Sequence, residues 1–109
     1  MEYKIRITRQ AADHLREIRR YIEKELLAPQ AAQSTIAAIK AEILSLRGMP
    51  SRIHLTPEEP WHSFGVRRAR ANNFYIYFWI DEENRKVQII GVIYIRRDQA
   101  KQLIQMDMQ

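Results

Sequence analysis

Two amphipathic helical segments separated by only two residues constrain the fold more than any other feature of the chain. The first lies within Arg9 to Leu27 and its apolar pattern ends at Leu26, and the second begins at Pro29, so only Leu27 and Ala28 separate the two patterns. Apolar residues recur in both at spacings of three and four, which places them on one face of each helix. A connection as short as Leu27-Ala28 forces the helices to lie antiparallel. The two apolar faces consist of Ala11, Leu15, Ile18, Ile22 and Leu26, and of Ala32, Ile36, Ile39, Ile43 and Leu46.

Local signals define the flanks of this helical hairpin. Residues 2–8 alternate between apolar and polar, as a β-strand does, and Thr8 is suited to cap the first helix. Gly48 favours the left-handed conformation that ends a helix, and Pro50 prevents its continuation. Residues 51–63 have no period and include two prolines, so we expect a surface loop there.

The rest of the chain predicts three antiparallel strands packed on the hairpin. They cover Val66 to Arg70, Phe74 to Ile80, and a third strand from Lys86 that runs into the doublet Arg96-Arg97. Strict alternation in the third strand puts one set of side chains on one face (Val87, Ile89, Gly91, Ile93 and Ile95) and the other set on the opposite face (Gln88, Ile90, Val92, Tyr94 and Arg96). Gly91 indicates a bulge or a close backbone approach. After Asp98, a short segment through Leu103 and Ile104 is expected to form one helical turn or to fray.

Composition limits the classes of function. The 109 residues predict a single α+β domain over residues 1–109, and the net charge of +5 with a pI near 9.8 favours an acidic partner. The absence of cysteine excludes disulfides, thiolate catalysis and cysteine metal sites. No pair of histidines or carboxylates has a metal-ligand spacing, so we predict no metal and no cofactor. Met1 opens directly onto the first strand, which predicts no signal peptide or membrane span and a cytoplasmic location.

The order strand, helix, helix, strand, strand, strand, tail resembles the RelE/ParE superfamily of toxins from bacterial type II toxin–antitoxin modules. The resemblance extends from Tyr3 to about Leu103. It rests on four segments: the opening Ile5 to Ile22, the second helix ending in Leu46-Arg-Gly-Met-Pro50, the strand Phe74 to Ile80, and the closing Val92 to Asp98. In the closing segment a hydrophobic strand runs into a basic doublet and an acidic residue.

The resemblance implies one of two activities. Proteins similar to RelE cut messenger RNA in the ribosomal A site without a metal, whereas proteins similar to ParE poison DNA gyrase by binding it. We expect a toxin that acts as a ribosome-dependent mRNA endoribonuclease and inhibits translation, with gyrase inhibition as the alternative. The implied partners are a cognate antitoxin, and either the ribosome with its mRNA or DNA gyrase; no membrane is implied.

RNA cleavage of this kind needs a base, an acid and cations that stabilise the phosphorane. Arginine suits the last task because its fork of donors matches phosphate oxygens. In the RNA-cleaving branch an arginine commonly begins the central strand, and here Asn73 occupies that position. The candidate catalytic residues are Arg68, Arg70, Arg97, Tyr94 and His62, and the candidate phosphate-binding residues are Arg67 and Arg96.

Three of these candidates also have a structural explanation. Arg97 can pair with Asp98, Tyr94 can be a half-buried sheet tyrosine, and His62 can be merely solvated. Strand alternation places Arg96 and Tyr94 on one face and Arg97 on the other, unless the strand has already ended. The resemblance further implies that an antitoxin segment covers the basic sheet. The aromatic residues proposed to anchor it are Trp61, Phe64 and Tyr75.

Overall fold

Four strands form one mixed sheet, with a helical hairpin on one face, in the computed structural model, which describes residues 2–108. The strands are β1 (Lys4–Ile7), β2 (Arg67–Ala71), β3 (Phe74–Asp81) and β4 (Lys86–Tyr94). The helices are α1 (Arg9–Arg20), α2 (Pro29–Ser45) and α3 (Gln99–Ile104). The predicted α+β fold, with an N-terminal strand, a two-helix hairpin and three antiparallel strands, is confirmed.

The sheet brings the two ends of the chain together. Its order is β1-β4-β3-β2, and β1 pairs in parallel with β4, from Lys4 opposite Lys86 to Ile7 opposite Ile89. Strands β2, β3 and β4 pair in antiparallel fashion. Thr8 then connects β1 to α1, since its hydroxyl donates to the carbonyl of Ile89 at 2.8 Å and accepts from the amide of Ala11 at 3.3 Å. The predicted cap at Thr8 is confirmed.

The ends of the hairpin helices differ from the prediction. The α-helical geometry of α1 ends at Arg20, and residues 21–25 form a wider π-helical turn in which the amide of Leu26 donates to the carbonyl of Tyr21. The wider turn rotates the following residues around the axis, so Leu26 is exposed and its placement on the buried face was wrong. The residue with a left-handed backbone after α2 is Met49 rather than Gly48.

A bulge in β4 changes which side chains face the hairpin. Tyr77 lies opposite Gly91 and Phe78 lies opposite Ile89, so Ile90 is an extra residue. An extra residue reverses the alternation beyond it. Strict alternation was therefore wrong from Gly91 onward. Val92 packs on the hairpin side with Val87, whereas Ile93 packs on the opposite face with Ile90.

Apolar side chains cover both faces of the sheet. The inner cluster lies between the sheet and the hairpin and includes Leu15, Ile39, Ile43, Ile76, Phe78 and Ile89. The outer cluster lies on the opposite face and consists of Val66, Tyr77, Ile90, Ile93 and Leu103, with Trp61, Tyr75, Trp79, Met106 and Met108 packed against it. The segment after Asp98 is helical, and its Leu103 is fully buried in the outer cluster. Within residues 2–108, no helix has the length and apolar character needed to cross a membrane.

Candidate functional site

The two adjacent arginines of β2 project from opposite faces of the sheet and have different partners. Arg67 lies opposite Phe78, and its guanidinium donates to the carbonyls of Ile53 at 2.6 Å and Ser51 at 3.3 Å. It therefore holds the loop that follows α2. A guanidinium whose donors are already used in this way is less available to bind phosphate, the role predicted for Arg67.

Arg68 is held by an acid and an aromatic ring on the outer face. Its guanidinium lies 3.5 Å from a carboxylate oxygen of Glu58 and 4.0 Å above the ring of Tyr75. Only 22% of the Arg68 side chain is exposed. Partial burial strengthens both contacts. The charge of Arg68 is thus largely neutralised within the protein. Tyr75, predicted to anchor an antitoxin, is only partly exposed, and this guanidinium lies over its ring.

The exposed arginines among the predicted site residues lie at the end of the sheet where β2 and β4 finish. Here Arg70, Asn73, Tyr94, Ile95 and Arg96 line an open cleft of about 210 Å³. Arg70 uses only one donor locally, from its Nε to the carbonyl of Asn72 at 3.1 Å. The Tyr94 ring packs on Phe74, with centroids 5.6 Å apart, and leaves 40% of the residue exposed. The cleft therefore combines two cations, an amide and a phenol.

The arginine doublet lies on a turn, because β4 ends at Tyr94. The amide of Arg97 donates to the carbonyl of Tyr94 at 3.0 Å, and the amide of Ile95 donates to the carbonyl of Asn73 at 2.9 Å. Asp98 caps α3 by accepting from the amide of Lys101 at 3.2 Å. Among the described residues, no carboxylate forms an ion pair with Arg96 or Arg97. Both guanidinium groups are exposed.

The remaining predicted residues lie in the loop before β2. His62 is exposed, and its Nδ1 lies 2.9 Å from the carbonyl of Thr56. Trp61 is half-buried against the outer cluster, while Phe64 is 60% exposed. None of the three lines the cleft at the end of the sheet. Of the two residues predicted to transfer protons, His62 and Tyr94, only Tyr94 lines this cleft.

Sequence reasoning missed Gln99, the first residue of α3. Its side-chain oxygen accepts from the hydroxyl of Tyr77 at 2.6 Å, and its amide nitrogen faces the carbonyls of Tyr94 and Arg97, in the turn of residues 94–97 that we call the arginine turn. Burial raises the pKa of Tyr77 to about 12, so the hydroxyl remains a donor at neutral pH. A glutamine in the first turn of a short helix gives no sequence signal that distinguishes this role from a solvated side chain.

The residues that line the cleft suit it to binding an anion better than to transferring protons. Cleavage by an RNA 2′-hydroxyl needs both a base and an acid near the phosphate. The cleft supplies two guanidinium groups, but Tyr94 is its only titratable group that is not an arginine.

Comparison with known proteins identifies the family. Residues 5–99 match the model described as the ParE toxin of the type II toxin–antitoxin system parDE. No curated protein matches the chain. Solved structures with the same fold include the chromosomal ParDE toxin–antitoxin system from P. aeruginosa, at 21% identity and a TM-score of 0.71, covering 87% of this chain and 98% of that chain.

Two further structures share the fold. The RelBE2 toxin–antitoxin complex from Mycobacterium tuberculosis aligns at 22% identity and a TM-score of 0.62, covering 86% of this chain and 99% of that chain. A mutant of the E. coli toxin RelE in the free state aligns at 12% identity and a TM-score of 0.65, covering 94% and 93%. The family match spans most of the chain, and we conclude that this protein belongs to the ParE toxins of type II toxin–antitoxin systems, within the RelE/ParE superfamily.

Proposed function

We propose that this protein is a toxin that acts in the cytoplasm by binding DNA gyrase and that a cognate antitoxin holds it inactive. The observation that carries the proposal is the cleft at the end of the sheet, which offers cations without a pair of proton carriers. Asn73 stands where RNA-cleaving relatives commonly have an arginine, which weakens the case for RNA cleavage. The family match to ParE toxins also supports gyrase binding ahead of RNA cleavage.

The surface that we assign to the target is the end of the sheet. Arg70, Arg96 and Arg97 are exposed there beside the Tyr94 ring, and an acidic surface would neutralise their mutual repulsion. Arginine and tyrosine are also residue types that concentrate binding energy in protein interfaces.

The antitoxin is proposed to carry an acidic or amphipathic segment. Such a segment would place carboxylates on the same arginines and an apolar side chain against Phe64 or Trp61. The P. aeruginosa and M. tuberculosis structures are described as toxin–antitoxin systems or complexes, which supports a partner of this class.

A supercoiling assay with purified gyrase tests the proposal. We expect wild-type protein to inhibit supercoiling, and the double variant Arg96→Gln/Arg97→Gln to inhibit about tenfold or more weakly, because interface charges of this kind contribute on the order of one to several kcal/mol. The double variant Arg16→Gln/Arg19→Gln removes the same charge from α1 and should stay within about twofold of wild type. Full supercoiling activity at saturating wild-type protein would contradict the proposal.

Ribosome-dependent mRNA cleavage remains the second candidate, because Arg70, Arg96 and Tyr94 line one cleft of a size that admits a phosphate group. It is tested by inducing the protein in a bacterial host and mapping new RNA 5′ ends. In-frame cuts within translated messages that disappear in Arg97→Ala would establish the nuclease. Growth arrest without new RNA ends, together with inhibited gyrase, would support the toxin that acts by binding gyrase.

A further inference from the structure

The side chain of Gln99 ties together the backbone of the arginine turn. Its Nε2 lies within hydrogen-bond distance of the carbonyls of Arg97 at 2.8 Å, Tyr94 at 2.9 Å and Ile95 at 3.2 Å. A glutamine amide has two hydrogens, so at least one of them is shared between two of these carbonyls. Three carbonyl dipoles thus converge on a single donor group.

The turn needs such a donor because β4 has ended. Beyond Tyr94 the backbone has left the ladder, and two backbone bonds remain in the turn: the amide of Ile95 to Asn73 and the amide of Arg97 to Tyr94. The carbonyl of Tyr94 also accepts from the amide of Arg97, so it is the carbonyls of Ile95 and Arg97 that depend on the Gln99 amide for a donor. We therefore expect the residues that carry the two exposed guanidinium groups to adopt other conformations when the Gln99 amide is absent.

The other end of the Gln99 amide is fixed in the outer cluster. Its oxygen accepts from the Tyr77 hydroxyl, and Tyr77 is fully buried at the centre of the sheet. Tyr77 lies directly opposite Arg68 on β2, whose guanidinium is fixed by Glu58 and the Tyr75 ring. Tyr77, held in the strand, therefore orients the Gln99 side chain, and Gln99 orients the turn that carries Arg96 and Arg97.

We propose that Gln99 and Tyr77 are positioning residues that preorganise the Arg96-Arg97 turn for the toxin's target, an inference that rests on the proposed role of this turn in target binding. Preorganisation lowers the conformational entropy that the doublet loses on binding. The two residues act through the arginines and contact no target themselves.

Gln99→Glu provides the direct test, because it keeps an oxygen for Tyr77 and replaces the NH₂ donor by a second oxygen. We expect supercoiling inhibition to weaken about tenfold, in keeping with the loss of the hydrogen bonds from Gln99 to the turn. Amide hydrogen exchange at Arg97 should accelerate. Gln102→Glu places the same charge one turn further along α3 and should change inhibition by less than about twofold.

Tyr77→Phe gives a second variant that keeps the ring in the outer cluster and removes only the hydroxyl. It should weaken inhibition in the same direction as Gln99→Glu, and the double variant should be no weaker than the more affected single variant. This non-additivity is expected of two residues that act through one chain of hydrogen bonds.

The decisive comparison repeats Gln99→Glu in a protein that already carries Arg96→Gln/Arg97→Gln. If Gln99 acts through the arginines, the additional change should be less than about twofold in this background. An equal loss in both backgrounds, or unchanged inhibition by Gln99→Glu in the wild-type background, would overturn the proposal.

The same variants separate this inference from the proposed target. If wild-type protein leaves gyrase active but arrests growth on induction, the target assignment fails, and the same comparisons of growth arrest per amount of folded protein decide the role of Gln99. If wild-type protein is induced and folded but does not arrest growth, both the target assignment and the proposed role of Gln99 are wrong.

Discussion

At the scale of single residues, His14 shows how a side chain on α1 completes the edge of the sheet. Strand β1 ends at Ile7, so it does not reach the part of β4 that follows the bulge. There the amide of Val92 donates to Nδ1 of His14 at 3.2 Å. The bond requires that this nitrogen carry no proton. Burial lowers the pKa of His14, against an opposing effect of Glu17 and Asp13, and favours the same neutral form.

We predict that the protein loses stability as the pH falls from 7.5 to 5.5. In the unfolded chain His14 takes up a proton near its ordinary pKa of about 6.5, whereas the folded protein resists protonation to lower pH. The unfolded state then binds more protons, so the free energy of unfolding falls through this window. Urea unfolding at several pH values measures the effect, and His14→Gln should flatten the dependence. His54→Gln, a substitution in the exposed loop, should leave the pH dependence as it is in the wild type. An unchanged slope in His14→Gln would show that His14 is not the source of the pH dependence.

At the scale of elements, the periodicity of apolar residues predicted the local secondary structure, but it failed where tertiary packing determines the conformation. The stripes of α1 and α2 and the alternation of β1 follow from residue spacing alone. The π-helical turn at residues 21–25 and the bulge at Ile90 each insert one residue into a regular pattern, and spacing alone does not indicate where. The predicted bulge or close approach at Gly91 is confirmed, since Gly91 directly follows the extra residue. The arginine clusters of the candidate site were visible in the sequence. The different partners of Arg67 and Arg68 were not, because Ser51, Ile53 and Glu58 approach them only in the folded chain.

The tail, residues 99–108, packs on β4 at Gly91, which directly follows the bulge. A methyl group at Gly91 would overlap Sδ of Met106 and lie 3.3 Å from Cε1 of His14. We predict that Gly91→Ala lowers the free energy of unfolding by about 1 kcal/mol, the lower end for overpacking, because the methionine side chain is flexible. The Gly91→Ala/Met106→Ala cycle should show a coupling of about 1 kcal/mol. Gly48→Ala, where no atom lies within 4 Å of the added carbon, is the matched control; strictly additive changes would contradict the contact.

At the scale of the whole molecule, the sheet is covered on both faces, by the hairpin and by the tail. The tail contributes Leu103 to the outer cluster, and the indole of Trp79 donates to the carbonyl of Met108 at 3.0 Å. The side chain of Gln10, on α1, bonds the amide and the carbonyl of Asp107. These contacts connect the tail to both β3 and α1, so unfolding of the outer face should not occur independently of the inner one.

We predict that Leu103→Ala destabilises the entire protein by about 2–4 kcal/mol, as expected when a fully buried leucine is truncated. The neighbouring Ile104 is 73% exposed, and Ile104→Ala should cost no more than about 0.5 kcal/mol. Both tryptophans, Trp61 and Trp79, pack against the outer cluster, whereas far-ultraviolet circular dichroism reports mainly on the helices of the hairpin. If the two clusters form one cooperative unit, the fluorescence and dichroism transitions of Leu103→Ala shift together to lower urea. A shift of the fluorescence transition alone would mean that the tail and the outer face unfold first, leaving the hairpin and inner cluster folded without them.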